Sequence, residues 1–219
     1  SAASDVYKRQ DEILLQCIDR SEGARGPDFD LLERIAKKGI GTPLIYGGGI
    51  RTIQDGVDAV SLGADRILID TLMHEDLNTV KALSCRLGSQ AIIAALPLSL
   101  EDGNLRWLNY HSMINHSISS DVIRLIENEV VSEVLVIDWK NEGMINGFNL
   151  DLIEFFPCAR TRLIAFGGIS EPTQLIKLLG SSRVDAVGIG NFLNYREHAI
   201  SSFRKMTSES PIEKTLRTF

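Results

Sequence analysis

The stretch TPLIYGGGI (residues 42–50) decides the fold of this chain, because a close copy, TRLIAFGGI, returns at residues 161–169. The second copy begins 119 residues after the first. A second pair, GADRILIDTL (63–72) and RVDAVGIGNFL (183–193), recurs at nearly the same spacing. Internal repetition at a constant distance indicates a fold assembled from two similar halves.

Short apolar runs alternate with longer segments of helical pattern along the chain. The predicted strands are residues 12–17, 43–46, 66–70, 91–96, 133–138, 162–166 and 185–190. The predicted helices lie near 28–38, 52–62, 75–87, 119–129, 149–156, 171–180 and 194–206. Strands that alternate with helices at this spacing are typical of βα units around a parallel sheet. Together with the repeat, they predict an α/β fold: a (βα)8 TIM barrel of two half-barrels, with its first βα unit missing.

The two ends of the chain require a separate interpretation. Residues 1–10, SAASDVYKRQ, match the in-frame translation of a tagmentation adaptor used in sequencing libraries, so we interpret them as non-native; the alternative is a genuine polar arm. The barrel is then expected over residues 11–206 and a C-terminal tail over 207–219. The missing unit would lie upstream of Asp11, which predicts an open seam between the second and eighth barrel strands.

Composition and charge exclude several classes of protein. The net charge is −6 and no basic block offsets it, which argues against a nucleic-acid partner. No apolar run approaches the roughly 18 residues of a membrane helix, so we expect no membrane partner. The three cysteines, Cys17, Cys85 and Cys158, are odd in number and lack a C-x-x-C spacing. They predict buried, reduced thiols and a cytoplasmic protein.

One loop departs from the regular βα pattern. Residues 98–117 contain EDGN (101–104), which has the chemistry of a tight turn, followed by LRWLNY, so we predict a small β-hairpin. His111 and His116 lie just beyond it. A metal pair is conceivable, but no carboxylate or cysteine completes a ligand set, so a solvated loop is the preferred interpretation. We expect neither a metal nor a cofactor.

Each half of the repeat presents a glycine turn after one strand and a second element after the next strand. The elements are Gly47, Gly48 and Gly49 with Asp70 and Thr71 in the first half, and Gly167 and Gly168 with Gly190 and Asn191 in the second. Glycines let backbone N–H groups approach an anion closely, at the end of the barrel where ligands bind. Two such sites predict a ligand with two phosphates. The alternative is a pair of tight βα turns with no ligand.

Several motifs resemble the cyclase subunit of imidazole glycerol phosphate synthase in order and spacing. They are YGGGIRTIQD (46–55), GADRILIDT (63–71), LGSQAIIAAL (87–96), SEVLVIDWKNEGMINGFN (132–149) and GNFLNYRE (190–197). The resemblance covers about residues 11–205, and GSQ (88–90) favours this subunit over the sister isomerase barrel. It implies that the loops named above, together with Glu142 and Gly143, hold a substrate with two phosphates.

The resemblance also implies a glutaminase partner at the amino-terminal end of the barrel. Ammonia from that partner would pass a ring of charged side chains, for which three matching residues are present here, Glu12, Arg66 and Glu133; Gln90 begins the fifth strand at the same level and is included in the predicted gate. Period-two counting places the three charged ones on one face of their strands. Asp65 is expected at the rim as a partner contact. The alternative is a set of solvated charges on the barrel floor.

Other positions depart from the family pattern. The family reaction uses two aspartates as general acid and base, one at the end of the first strand and one at the end of the fifth. The first would precede Asp11, and the second aligns with Pro97, which has no titratable group; the nearest acid is Glu101. Asp70 stands where an amide is usual, and Glu142 where a shorter acid is usual. Catalytic residues therefore stay unknown.

Three functional interpretations follow. A divergent paralogue of the cyclase would supply glutaminase-derived ammonia for amidination of a surface-sugar precursor. A non-catalytic protein would bind a phosphorylated ligand and activate a glutaminase. An ordinary histidine-pathway cyclase is the third interpretation, and the loss of an acid at Pro97 disfavours it.

Overall fold

The computed structural model describes residues 12–20, 25–145 and 147–190. Its strands are β1 (Ile13–Gln16), β2 (Leu44–Gly47), β3 (Arg66–Ile69), β4 (Ile92–Glu101), β5 (Asn104–Asn109), β6 (Ile114–His116), β7 (Glu133–Asp138), β8 (Arg162–Phe166) and β9 (Val184–Gly188). Its α-helices are α1 (Phe29–Ala36), α2 (Ile53–Ser61), α3 (Thr71–Glu75), α4 (Leu77–Leu87), α5 (Ser120–Glu127), α6 (Asp151–Glu154) and α7 (Pro172–Leu179). Short 3₁₀ turns occupy Ile18–Arg20 and Ser89–Ala91.

Seven strands form one parallel sheet in the order β1-β2-β3-β4-β7-β8-β9. All six neighbouring pairs are parallel, and helices connect most of them, as the alternating pattern predicted. Within the described residues β1 and β9 stand at the two ends of this order and do not pair, as the predicted open seam requires. The architecture is that of an α/β, (βα)8-barrel-like fold.

The predicted hairpin is present and extends the fourth strand. β4 continues past Pro97 to Glu101, turns at Asp102 and Gly103, and pairs antiparallel with β5. The short strand β6 adds to β5. This extension corrects the expected strand end at residue 96, because pairing with β5 supplies hydrogen-bond partners beyond the parallel sheet.

Apolar residues form two layers, one on each face of the sheet. The outer layer lies between strands and helices and includes Tyr46, Ile67, Ile92, Val134 and Leu163. The inner layer consists of Ile45, Leu68, Ile93, Ala95 and Leu135, with Ile137, Ile164 and Phe166 packed against it. Alternation of the two sets along each strand explains why the strand sequences are almost continuously apolar.

Two local predictions differ from the structure. The helix expected at 75–87 is interrupted at Asp76, whose carboxylate accepts hydrogen bonds from Asn78 and Thr79 and caps α4. Cys17 and Cys158 are buried, but Cys85 is exposed on the solvent side of α4, so the expectation of buried thiols is wrong for that residue.

No helix among the described residues is long and apolar enough to span a bilayer.

Some predictions concern residues outside the described ranges. They are the adaptor interpretation of residues 1–10, the helix at 194–206, the tail at 207–219 and the ligand role of Asn191. They stay predictions.

Candidate functional site

Two pockets open at the carboxyl end of the sheet, one in each half. The β8–β9 pocket has a volume of about 110 Å³, and the β2–β3 pocket about 30 Å³. The β8–β9 pocket is lined by the predicted residues Glu142, Gly143, Gly167, Gly168 and Gly190, and by residues including Ser170 and Phe166 that were not predicted. The β2–β3 pocket is lined by the predicted Gly48, Gly49, Asp70 and Thr71, and by residues including Gln16 and Arg51. The structure therefore brings most of each predicted set together; Gly47 does not line a pocket, and Asn191 lies outside the described residues.

The glycine turns that border the pockets share one conformation. Gly48 and Gly167 have φ values of 117° and 112°, and Gly49 and Gly168 have values of 75° and 70°. These values lie in the left-handed region that glycine adopts most readily. The two halves of the sequence repeat therefore have the same backbone turn.

Close packing also requires these glycines. A Cβ atom on Gly48 would collide with the carbonyl oxygen of Cys17, and one on Gly167 would lie 2.6 Å from the carbonyl oxygen of Asp138. A Cβ on Gly168 would lie 2.9 Å from the Cβ of Asn141. The glycines thus have a structural reason to be present, and their conformation by itself does not identify a ligand.

Asp138 holds the loop that covers the β8–β9 pocket, and the sequence analysis did not single it out. It is buried at the end of β7, and its carboxylate accepts hydrogen bonds from the side chain of Asn141 (2.8 Å) and the backbone of Asn149 (2.8 Å). This anchoring positions the intervening Glu142 and Gly143 beside the glycine turn. An acid directly after an apolar strand was the available signal.

Ser170 is a second residue that the sequence analysis missed. The residue lines the β8–β9 pocket, and its hydroxyl oxygen is buried with no hydrogen-bond partner among the described residues. A buried hydroxyl without a partner is costly, so such a group commonly serves a ligand or a water molecule. Its position directly after the Gly-Gly-Ile turn was the available signal.

Asp70 follows β3 and lines the β2–β3 pocket. Burial raises the pKa of this carboxyl to about 7. Its Oδ1 atom is buried without a hydrogen bond among the described residues and lies 3.9 Å from Nε2 of His74. Burial, and then the nearby His116, lower the pKa of His74 to about 4, so the imidazole is neutral at physiological pH. Asp70 and His74 therefore do not form an ion pair at that pH.

The hairpin closes over this side of the mouth. The imidazole of His74 stacks on the ring of Trp107 in β5 with their centroids 3.6 Å apart. Tyr110 follows β5, and its pKa is raised by burial and by the negative charges of Glu142 and Asp70. Burial of its carboxyl likewise raises the pKa of Glu142. The hairpin thus places a phenol near the acids of both pockets. The ring of His116 lies near the ring of His74, with their centroids 6.3 Å apart. Among the described residues no group of three or more histidine, cysteine or acidic side chains is arranged to hold a metal ion.

Pro97 occupies the inner face of β4 near its carboxyl end. It continues the alternation of Ile93 and Ala95, two residues of the inner layer, and pairs in register with Ile137. The nearest acid along the strand, Glu101, is engaged with Lys140 at 2.9 Å, and this contact lowers its pKa. Glu101 therefore does not replace an acid at position 97.

The four residues predicted for an ammonia gate meet at the amino-terminal end of the sheet. Arg66 forms ion pairs with Glu133 and with Glu12, the latter at 3.4 Å. Its Nε donates a hydrogen bond to the carbonyl oxygen of Gln90 (3.1 Å), and its Nη2 donates to the hydroxyl of Ser132 (2.8 Å). Gln90 joins this cluster through its main chain, which differs from the expected side-chain role.

Asp65, the predicted partner contact, is exposed beside this cluster. One carboxylate oxygen accepts a hydrogen bond from the backbone N–H of Leu44 at 2.8 Å. The residue therefore also fastens the start of β2, and a test of partner binding must preserve that bond.

Comparison with known proteins now identifies the family. Residues 3–199 match the model of the family described as "Histidine biosynthesis protein". The chain is 29% identical over 215 residues to the imidazole glycerol phosphate synthase subunit HisF of Dictyoglomus thermophilum, covering 94% of this chain and 83% of that protein. It is 26% identical over 200 residues to the putative imidazole glycerol phosphate synthase subunit hisF2 of Pseudomonas aeruginosa (87% and 77% covered). It is also 28% identical over 188 residues to the putative imidazole glycerol phosphate synthase subunit hisF2 of Campylobacter jejuni (84% and 75% covered). The chain therefore belongs to the histidine biosynthesis protein family, as a protein similar to the HisF cyclase subunit.

Proposed function

We propose that this chain is a divergent HisF paralogue that receives ammonia from a glutaminase and directs it to the amidination of a phosphorylated or sugar substrate, such as a surface-sugar precursor. The observation that carries the proposal is Pro97, an imino acid on the inner face of the sheet where an acid or base would be needed. A residue with no titratable group cannot exchange a proton with a substrate.

The Arg66 cluster supports the ammonia route. One arginine between two carboxylates compensates their charges at the amino-terminal end of a sheet whose inner face is otherwise apolar. Charges at the edge of an apolar core are costly unless they are paired, so a function is a reasonable cause of their presence. A paired cluster of this kind can exclude bulk water and still open for a small neutral molecule.

The β8–β9 pocket supports a phosphate site. It is the larger of the two pockets, it is bordered by the backbone of Gly167 and Gly168, and the buried hydroxyl of Ser170 has no partner in the described structure. Glu142 also lines this pocket; the residue as a whole is exposed, although partial burial of its carboxyl raises its pKa. The ligand would thus lie at the carboxyl end, opposite the Arg66 cluster.

An assay with the cognate glutaminase tests the proposal. We expect the chain to stimulate glutamine hydrolysis, and to show ammonia-dependent cyclisation of the bisphosphorylated histidine-pathway substrate about 10²–10⁴-fold below that of a complete cyclase, the usual cost of losing one general acid or base. Cyclisation at an ordinary rate would overturn the paralogue interpretation in favour of a histidine-pathway cyclase.

Three variants separate the gate from partner docking. Arg66→Ala should uncouple glutamine hydrolysis from ammonia use while binding to the glutaminase persists. Asp65→Asn removes a charge but keeps an acceptor for the Leu44 N–H, so weaker binding would report docking and not unfolding. Arg34→Ala, on the exposed side of α1, is the control and should change neither property. If Arg66→Ala leaves the coupling of glutamine hydrolysis to ammonia use unchanged, as the control does, the cluster has no role in ammonia passage.

A further inference from the structure

The β2–β3 pocket differs from its counterpart first in size. Its volume is about 30 Å³, against about 110 Å³ for the β8–β9 pocket. A water-sized group needs about 10–15 Å³ of such volume, so the smaller pocket accommodates about two of them. A phosphate group has five non-hydrogen atoms and fits the larger pocket better.

The smaller pocket also has a fixed acid in its wall. Asp70 has a short side chain at the end of β3, and its Oδ1 is buried and lacks a hydrogen-bond partner among the described residues. The His74 ring, whose Nε2 is 3.9 Å away, is held by stacking on Trp107 and does not close that distance. The Oδ1 atom of Asp70 is therefore a buried acceptor without a donor among the described residues.

One cation lines the pocket together with this carboxyl. Arg51 lines the same pocket, but its guanidinium is 3.9 Å from the carboxylate of Glu75. The remaining polar neighbours, Gln16 and Thr71, are uncharged. A dianion in this pocket would meet the Asp70 Oδ1, which has no hydrogen-bond partner among the described residues, and would have to share Arg51 with Glu75, whereas a hydroxyl could donate to Asp70 and accept from Arg51 or Thr71.

From this geometry we infer that the β2–β3 pocket binds an uncharged, hydroxyl-bearing part of the ligand, such as the hydroxyls of a sugar, and that Asp70 accepts the hydrogen bond. The inference rests on the proposed function, in which the β8–β9 pocket holds a phosphate. The preferred ligand class is then a sugar with a phosphate at one end only, and Asp70 is the residue that determines this specificity.

Sulfate titrations monitored by NMR measure anion binding at the two pockets separately. Sulfate is a suitable probe because its charge is constant around neutral pH, and backbone amide signals of Gly167 and Gly168 report one pocket while those of Gly48, Gly49 and Thr71 report the other. At about pH 8.5 we expect saturable shifts only at Gly167 and Gly168 in the wild type. Asp70→Asn keeps the shape of the side chain, and it should raise the sulfate affinity at the β2–β3 reporters at least tenfold.

A neutral partner for Asp70 is tested with ribose 5-phosphate. This probe should shift both groups of amides in the wild type, and Asp70→Ala should abolish the shifts at Gly48, Gly49 and Thr71. Asp30→Asn, an exposed change on α1, is the matched control. Sulfate binding at the β2–β3 reporters that is equally tight in the wild type and in Asp70→Asn would overturn the inference, as would its absence from both. No sulfate response at Gly167 and Gly168 would instead overturn the phosphate site of the proposed function, and the Asp70 comparison would still decide this inference.

Discussion

The β2–β3 and β8–β9 pockets are bordered by the same glycine turn, but different side chains line them. Their glycines have φ values within about 5° of each other, and in both halves the first glycine lies against a backbone carbonyl, of Cys17 or of Asp138. Yet Asp70 borders one pocket where the repeat places Gly190 beside the other. The volumes differ in the same direction, with the larger space beside the glycine.

Different residues therefore determine the turn conformation and the ligand that each pocket can bind. Packing of one βα loop against the next requires the glycines, whatever is bound. The adjacent residue is an acid in one half and a glycine in the other, while the φ values of the turn stay nearly the same. A duplicated glycine motif is therefore good support for a repeated fold and weaker support for a repeated ligand.

The largest effect is expected when the shared turn is broken. Gly48→Ala and Gly167→Ala should each lower the free energy of unfolding by about 2–4 kcal/mol, because a Cβ would meet a backbone carbonyl at a positive φ. Urea denaturation measures both variants. Gly41→Ala, at an open position with an ordinary φ, should change stability by less than about 0.5 kcal/mol. Clearly unequal costs at Gly48 and Gly167 would contradict the equivalence of the two turns.

An intermediate effect is expected from the acid that distinguishes the pockets. The folded-state pKa of Asp70 is raised to about 7, above its unfolded value of about 3.9. The carboxyl therefore contributes stability that is fully present below about pH 4 and is lost as pH rises through about 7. As the pH rises from about 4 to about 8.5, the free energy of unfolding of Asp70→Asn should therefore increase by roughly 2–4 kcal/mol relative to that of the wild type.

The groups that face Asp70 affect this comparison little. His74, Tyr110 and Arg51 are present in both proteins, and only the titration of residue 70 differs between them. Urea denaturation at the two pH values measures the difference, and Asp30→Asn should show no such pH dependence. A constant difference between wild type and Asp70→Asn would mean that the pKa of Asp70 in the folded state is not raised above its unfolded value.

The smallest effect is expected at Ser170, which lines the β8–β9 pocket. The equivalent residue of the repeat is Arg51, which lines the β2–β3 pocket. Ser170→Ala should weaken sulfate binding at the Gly167 and Gly168 reporters about two- to tenfold, the range for one lost hydrogen bond. Ser61→Ala, whose hydroxyl bonds only within α2, is the control. Unchanged affinity would remove Ser170 from the site and leave only the backbone to bind the anion.

Much of the fold was predictable from the sequence. The alternation of strands and helices, the half-barrel repeat and the hairpin at EDGN are local or periodic signals, and the structure confirms them in the described residues. The break at Asp76 and the extension of β4 to Glu101 were missed, because a cap and an antiparallel partner override the local pattern. Ser170 and Asp138 were missed because a serine and an aspartate after a strand are common where nothing binds.

The sequence by itself determined which residues come together: the resemblance to the cyclase subunit and the strand alternation group Arg66 with Glu12 and Glu133, and the repeat spacing places the glycine turns at the opposite end. Period-two side-chain direction and parallel pairing follow from backbone geometry, so order along the chain is sufficient. Only the tertiary structure decided what those groups can do. Desolvation, the volume of each pocket and the lack of a hydrogen-bond partner for Asp70 Oδ1 among the described residues depend on tertiary packing, such as the stacking of His74 on Trp107, a residue distant in sequence.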